Sequence, residues 1–478
     1  SKLYKDLIKN KKRSFVYLKR RIDPQLKEQI KALEISGIFI EQEYRRYYPA
    51  AQITSHVVGF TNIDGKGLEG IELIYDEVLT GKPGHKRVIR NRLGQIITID
   101  ENQLQPEPGK DLYLSLDKRI QYLAYTELKQ AIKKHNAKSG SLVALDITTG
   151  EVLALVNQPG FNPNNISDRK ARKYKNRAMT DQFEPGSTMK PFTIMAALQS
   201  KRYAPSTMID TGDGWYMLGH RTIKDTHAYG KIDVSTVLQK SSNVGTAKIA
   251  QNLPDELLWD TFSSFGFGED TGSLFYGETL GKLNKPYRIS NIAKATISYG
   301  YGMTASAVQL AQAYSTIARQ GEKLPVNLLR LDEGPLKLGQ TNISSKNIKR
   351  VIKMMETVVD TGGTAPNANI PGYRVAGKTG TAKKASKSGG YTEKSYTASF
   401  VGFAPVSNPK IVVAVVVDDP KENGFYGGVV AGPVFKKVMS GALRLLNISP
   451  DSVKHKTGVE GIPEQINLKL AQKALALH

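Results

Sequence analysis

Cysteine is missing from all 478 residues. That excludes disulfide bridges and thiolate metal sites, and it fits an oxidising space outside the cytoplasm without requiring one. No run of about 18 apolar residues occurs, so this stretch holds no membrane-spanning helix. It opens at Ser1 in Leu-Tyr-Lys-Asp-Leu-Ile-Lys with no visible signal peptide, and reads as the ectodomain of a longer protein. Histidine is scarce, with seven in the chain, and none falls in a His-Glu-x-x-His or other metal spacing. Acids are outnumbered, 44 against 67 Lys and Arg, for a net charge of +23. Residues 1–21 carry nine bases and only Asp6 as an acid, and 169–177 is a second basic stretch. No helix-turn-helix, zinc-finger or RNP-type motif accompanies this charge, so nucleic acid is not expected. A solvated basic face, or attraction to an anionic membrane surface and cell-wall polymer, is the simpler reading. The length suits two or three domains with a sizeable core.

What is present centres on Ser187-Thr188-Met189-Lys190. It follows Phe183-Glu184-Pro185-Gly186 and runs into the apolar segment 192–198. Serine and lysine three apart on a helix share a face, one turn from each other. A serine hydroxyl becomes a nucleophile when a neighbouring base takes its proton, and a lysine with lowered pKa can do so. Pro-Gly predicts a turn that starts the helix at Ser187, where free N–H groups favour a developing oxyanion. Pro191 lacks the N–H that a regular helix aims at the Ser187 carbonyl, so the first turn is expected to be tight or irregular. Ser241-Ser242-Asn243 and Lys378-Thr379-Gly380-Thr381 follow in chain order.

Each triplet is weak alone, and decoys exist. Ser115…Lys118, Ser167…Lys170 and Ser407…Lys410 also match Ser-x-x-Lys; Ser345-Lys346-Asn347 is a second Ser-x-Asn, and Lys456-Thr457-Gly458 a second Lys-Thr-Gly. Context separates them. Only Ser187 leads into an apolar helix, and Lys378 lies in a strand-like stretch, 373–384, followed by strand candidates at 396–404 and 411–417.

Along the chain, residues 1 to about 105 carry no catalytic signature. Glu43-Tyr-Arg-Arg-Tyr-Tyr-Pro49 reads as a surface strand with Arg stacked on Tyr. Residues 101–110 are polar and proline-rich and read as an interdomain linker. Residues 117–134 look helical, and 141–146 with 151–157 form a hairpin around Thr148-Thr149-Gly150. A largely helical region runs from the serine to about Arg319, with loops at Gly300-Tyr-Gly302 and Thr361-Gly-Gly-Thr364, and 432–446 is a closing helix. This order predicts an α+β fold, an antiparallel sheet flanked by helices. The divisions are 1–108, 109–450 and a loosely held tail, 451–478.

With Arg45-Arg-Tyr-Tyr-Pro49, Gly59-Phe-Thr-Asn62, Ser298-Tyr-Gly-Tyr-Gly302 and Tyr426-Gly-Gly428 added to the three motifs, the chain resembles a class B penicillin-binding protein, most nearly the division-specific, FtsI-like type of Gram-negative bacteria. The likeness runs from about Tyr17 to about Pro450. It implies a penicillin-binding transpeptidase domain of the serine β-lactamase-like fold on an elongated, non-catalytic N-terminal pedestal. It implies a D,D-transpeptidase at the periplasmic face of the inner membrane, anchored by an N-terminal helix, that cross-links D-Ala-D-Ala stem peptides during septal cell-wall synthesis. It further implies covalent inhibition by β-lactams, a separate polytopic glycan polymerase and other division proteins as partners, and no metal or organic cofactor. The roles implied are Ser187 as nucleophile, Lys190 as its base, Ser241 as proton relay, and Lys378 orienting Ser241 and, with burial, lowering the pKa of Lys190. Asn243 would hold the substrate amide, and Thr379 and Thr381 its carboxylate. Gly380 would let the substrate lie against the strand, and Phe425 and Tyr426 would wall the cleft. The N–H groups of Ser187 and Thr381 would form the oxyanion hole. A D,D-carboxypeptidase or a non-catalytic β-lactam sensor would share the motifs. The Glu-x-x-Leu-Asn pattern of one β-lactamase class is absent.

Overall fold

The computed structural model describes residues 9, 13, 16–41, 43–92, 96–99, 104–283, 290–334, 336–386 and 390–452. Its centre is a five-stranded antiparallel sheet. The strands are β1 (Ser139–Asp146), β2 (Val152–Gln158), β3 (Ala376–Ala385), β4 (Tyr391–Ala404) and β5 (Ile411–Asp418), in the spatial order β3-β4-β5-β1-β2. The helices that matter for the site are α1 (Lys118–Lys134), α2 (Lys190–Gln199), α3 (Asn243–Gln251), α4 (Ala307–Ala318) and α5 (Gly432–Leu445).

The sequence of β5, Ile-Val-Val-Ala-Val-Val-Val-Asp, explains its central place. Nearly every residue is apolar and β-branched, as a strand covered on both faces requires. Ile411, Val413, Val415 and Val417 join α1 and α5 in one core, while Val412, Ala414 and Val416 join α2 and α4 in the other. Helix α2 lies within that second core and is apolar on all sides, so Phe192, Ile194, Met195 and Ala196 are all buried. Edge strand β3 therefore lies over the start of α2, and its own free edge is open for a ligand strand.

Three sequence expectations are corrected. The region after the serine is not helical throughout. Met208–Asp210 pairs with Lys231–Asp233, and Trp215–Leu218 pairs with Arg221–Lys224, so two small antiparallel pairs precede the Ser241 motif. Ile209 and Ile223 are buried between exposed neighbours, the alternation a half-buried strand requires, and this outweighs helix propensity there. Residues 43–49 form no strand: Arg46 pairs with Glu72, and the buried Tyr48 hydroxyl accepts from the Thr61 N–H. Finally, 169–177 is not a freely solvated basic face. Arg169 donates to the carbonyls of Pro163 and Thr61 and covers the Phe60 ring at 4.6 Å, while Lys175 and Arg177 both pair with Asp181. These bases help to fasten the N-terminal residues to the sheet domain, where Val57 and Ile71 enter the main core.

The first part of the basic stretch 1–21, residues 101–103 of the linker, the Lys456 triplet and the tail from 453 lie outside the described residues.

Candidate active site

Ser187 sits in a tight 3₁₀ turn, Gly186–Met189, that runs directly into α2. This is the irregular first turn expected from Pro191. The turn is held from several sides. The Gly186 N–H donates to the Gly300 carbonyl at 3.0 Å, Thr188 Oγ1 donates to the Pro185 carbonyl, and the buried Tyr314 hydroxyl donates to the Thr188 carbonyl at 2.8 Å. Gly300 has φ +84°, and a Cβ there would meet the Gly186 oxygen at 2.1 Å, so this approach needs glycine.

Strand β3 lies against this turn. A Cβ placed on Gly186 would stand 3.3 Å from that of Ala382, and one on Gly380 would meet Thr188 Cγ2 at 3.0 Å, Pro185 O at 2.9 Å and Ser399 Oγ at 2.3 Å. Gly380 is thus required by packing between strand and turn, a cause beyond the close substrate approach expected from sequence. The Lys383 N–H donates to the Tyr301 hydroxyl at 3.0 Å, off the free edge of the sheet. Backbone groups alternate in direction along a strand, so the N–H of Thr381 faces the same free edge. The Ser187 N–H belongs to a first helical turn, where no earlier carbonyl takes it.

Lys190 and Lys378 are both fully buried. Lys190 Nζ donates to the Ser241 carbonyl at 2.5 Å, to Ser241 Oγ at 3.2 Å and to Asn243 Oδ1 at 2.8 Å. Lys378 Nζ donates to Ser241 Oγ at 2.8 Å and lies 3.3 Å from both oxygens of Thr379. The Ser241 hydroxyl therefore stands between two amines. Neither amine forms an ion pair among the described residues. Burial lowers Lys190 to about 7 against the opposing attraction of Asp225. Burial, reinforced by the charge of Lys190, holds Lys378 well below the ordinary lysine value.

Among the described residues no hydrogen bond reaches Ser187 Oγ; the amine of Lys190 is turned to Ser241 and Asn243. The remaining candidates are gathered along β3. Thr379 Oγ1 shares a hydrogen bond with Thr364 at 2.9 Å, and Thr381 Oγ1 accepts from the Gly427 N–H at 3.0 Å. That bond ties the Phe425-Tyr426 segment to the strand. Phe425 stacks on Tyr396 at 4.3 Å, and Tyr426 is half exposed. Asn243 uses both ends of its amide, Oδ1 for Lys190 and Nδ2 for the Lys224 carbonyl.

The decoys are elsewhere. Ser115 Oγ donates to the carbonyls of Val152 and Asn327, and Asn347 is a buried partner of Gln199. Two carboxylates near the site went unassigned from sequence. Asp225 receives the start of α3, and no spacing links it to Ser241. Glu184, inside the serine motif, accepts from the Gly302 N–H and the Tyr391 hydroxyl, and burial raises its pKa. Glu184 also borders a cavity of about 600 Å³ beneath the end of β3, lined in addition by Lys138, Lys175, Arg177 and Lys383. Ser187 does not line it.

Residues 140–440 match the family of the penicillin binding protein transpeptidase domain, and residues 1–114 that of the penicillin-binding protein dimerisation domain. The probable peptidoglycan D,D-transpeptidase PenA of Neisseria meningitidis serogroup A is 42% identical over 445 residues, 93% of this chain and 76% of the relative. The peptidoglycan D,D-transpeptidase FtsI of Escherichia coli is 41% identical over 444 residues, 93% of this chain and 74% of that protein. Among solved structures, the apo TP domain of Burkholderia pseudomallei penicillin-binding protein 3 superimposes with a TM-score of 0.65 at 43% identity, covering 72% of this chain and all of that one. A serine turn under an edge strand, two buried amines around Ser241, and these matches over nearly the whole length agree: the chain belongs to the penicillin-binding protein transpeptidase family.

Proposed function

We infer that Ser187 is the acyl-accepting nucleophile of this peptidoglycan D,D-transpeptidase, with Lys190 as its base. The observation that carries the reading is a lysine one turn from the serine, fully buried and brought to about 7, so that a large fraction is neutral near neutral pH. Neutral Lys190 takes the proton of Ser187 Oγ as the oxygen attacks the carbonyl between two D-alanines of a stem peptide. The N–H groups of Ser187 and Thr381 hold the oxyanion, each worth about 3–4 kcal/mol of transition-state stabilisation. The C–N bond then breaks, and Ser241, between the two amines, passes a proton to the departing D-alanine. An amine of a neighbouring stem attacks the acyl-serine, forms the cross-link and returns the proton to Ser187. Catalytic hydrogen bonds commonly tighten only once substrate is bound, so the present orientation of Lys190 is compatible with this role.

Thr379 and Thr381 offer hydroxyls to the terminal carboxylate, Asn243 and the free edge of β3 hold the peptide, and Phe425 and Tyr426 wall the cleft. A β-lactam presents the same carbonyl and acylates Ser187. The two family matches support a division into a pedestal, 1–108, and a catalytic unit, 109–450. Likeness to proteins named FtsI supports septal work at the periplasmic face of the inner membrane, beside a polytopic glycan polymerase.

Labelling with a fluorescent penicillin, followed by digestion and mass mapping, tests the nucleophile: the adduct is expected on Ser187, and an adduct on another serine contradicts the assignment. Lipid-linked glycan supplied with a polymerase tests the reaction. Cross-linked strands are expected; release of D-alanine without cross-links would mean a carboxypeptidase.

A further inference from the structure

The helix Ser345–Glu356 carries four bases, Lys346, Lys349, Arg350 and Lys353, and a single acid, Glu356. The helical repeat puts the four bases within about 100° of arc, on one exposed face. The opposite face, with Ile348, Val351, Ile352 and Met355, is buried in the main core. Glu356 is held by Arg374 through two bonds of 2.8 Å, and none of the four bases forms an ion pair among the described residues. Lys346 with Arg350, and Lys349 with Lys353, stand four residues apart, where like charges repel. Elsewhere on the surface bases meet acids, as Arg119 does Asp117 and Lys437 does Glu127. A face that serves only solubility works with both signs interspersed. A row of one sign costs the helix stability and gains only from an anionic partner.

The row lies beside the cleft. Gln199, at the end of α2, accepts from the Ser344 N–H at 3.2 Å and from Asn347 Nδ2 at 3.0 Å, so the exposed Lys201, two residues on, stands at the N-terminal end of the row. Past the other end, Gln239 Nε2 donates to the Thr357 carbonyl at 3.4 Å and Lys240 Nζ to the Gly362 carbonyl at 2.9 Å, immediately before Ser241. Thr364, in the loop that follows the helix, bonds Thr379 of β3 at 2.9 Å.

Resting on the transpeptidase reading of the cleft, we propose that the Lys346–Lys353 face is a docking surface for the carboxylate-bearing stem peptides of the peptidoglycan polymer whose neighbouring stem occupies the cleft. The cleft takes one stem of a chain of stems, and the others also carry carboxylates. A row of cations running from the cleft along one helix suits such a periodic polyanion. A lipid surface fits less well. A helix that lies on a membrane turns an apolar face into it, whereas here the apolar face is spent in the core and no large apolar side chain of the helix is exposed.

The test is co-sedimentation of the full chain with purified peptidoglycan sacculi, beside vesicles of phosphatidylglycerol. Four proteins are compared: wild type, S187A, the row variant K346Q/K349Q/R350Q/K353Q, and a control with four exposed lysines of α1 neutralised, K118Q/K129Q/K133Q/K134Q. Wild type and S187A are expected to bind sacculi alike at low salt. The row variant is expected to bind about tenfold more weakly and the control to lose less than about threefold, with the difference erased at about 0.5 M salt. Benzylpenicillin acylation of the row variant is expected to stay within about twofold of wild type, since so small a ligand stays in the cleft. Its thermal unfolding is not expected to fall, because glutamine keeps helix propensity and relieves the repulsion. Should the row variant fail to fold, K349Q/K353Q, expected to lose about threefold, decides. Unaltered binding by the row variant, an equal loss in the control, or a wild type that does not sediment with sacculi overturns the proposal. So does binding through the row to vesicles in place of sacculi, which would make it a lipid-binding surface. Wild type that benzylpenicillin does not label at Ser187 overturns the reading of the cleft on which the docking surface rests; normal labelling with unaltered sedimentation of the row variant overturns the docking surface alone.

Discussion

Arg20 and Arg46 in the N-terminal region each meet carboxylates, Glu43 and Asp64 for the first and Glu72 for the second. Lys190 and Lys378 in the cleft are fully buried and meet hydroxyls, carbonyls and one amide instead. A cation beside a carboxylate stays charged and inert. A buried amine without one is pushed toward neutrality and acquires a lone pair to use. Burial alone is not sufficient, as His56 demonstrates. It too is buried, and desolvation lowers its pKa to about 4. But its ring is occupied by the Lys173 carbonyl and packs edge-on against Phe161, with no part in the Ser187 turn. What distinguishes the cleft is a lowered pKa together with a hydroxyl one helical turn away.

Substitutions can break this contrast, and the expected effects descend in size. S187A is expected to abolish the penicillin adduct by intact mass while leaving thermal unfolding unchanged; persistent labelling would move the nucleophile elsewhere. K190M keeps the buried volume and removes the base. Its acylation rate is expected to fall by about 10²–10⁴-fold, the usual worth of general-base catalysis. A near-normal rate would mean that the lysine only fills space. G380A drives a methyl into Ser399 and the Pro185–Thr188 turn. It is expected to lose about 1–3 kcal/mol in denaturant unfolding and to slow acylation by parting β3 from the serine. Unchanged stability would show that the contact yields easily. R46A breaks the Glu72 pair far from the cleft and is expected to leave acylation intact at a stability cost of about 1 kcal/mol or less. A large loss of rate there would show that the two regions are functionally joined.

The sequence was most legible where a pattern was local. The β5 run of valines, the hairpin of β1 and β2, and the Pro-Gly-Ser start of α2 each carry their structure within at most about twenty residues, and the observed strands and helix follow those readings. The irregular turn at Ser187 was foreseeable from one missing N–H at Pro191. Order along the chain brought Ser187, Ser241 and Lys378 into one proposed site, and the structure sets the turn, the amines and β3 side by side. What was not legible depends on partners distant in sequence. The small pairs between 208 and 233 were hidden in a stretch expected to be helical. Asp225 became visible only once the N–H groups of Asn243 and Val244 were seen to point at it. The basic stretch 169–177 looked like a surface feature because its acceptors, such as the Thr61 carbonyl, lie over a hundred residues away. The direction of Lys190 Nζ, toward Ser241 and Asn243, could not be read from a spacing of three.

The most direct measurement is the second-order rate constant for acylation of wild type by benzylpenicillin across the neutral pH range. Lys190 must be neutral to accept the Ser187 proton, so the rate should climb with pH and level off, with its midpoint at about 7. A rate that stays flat through that range, or climbs only near the ordinary lysine value, would contradict the role given to the buried amine.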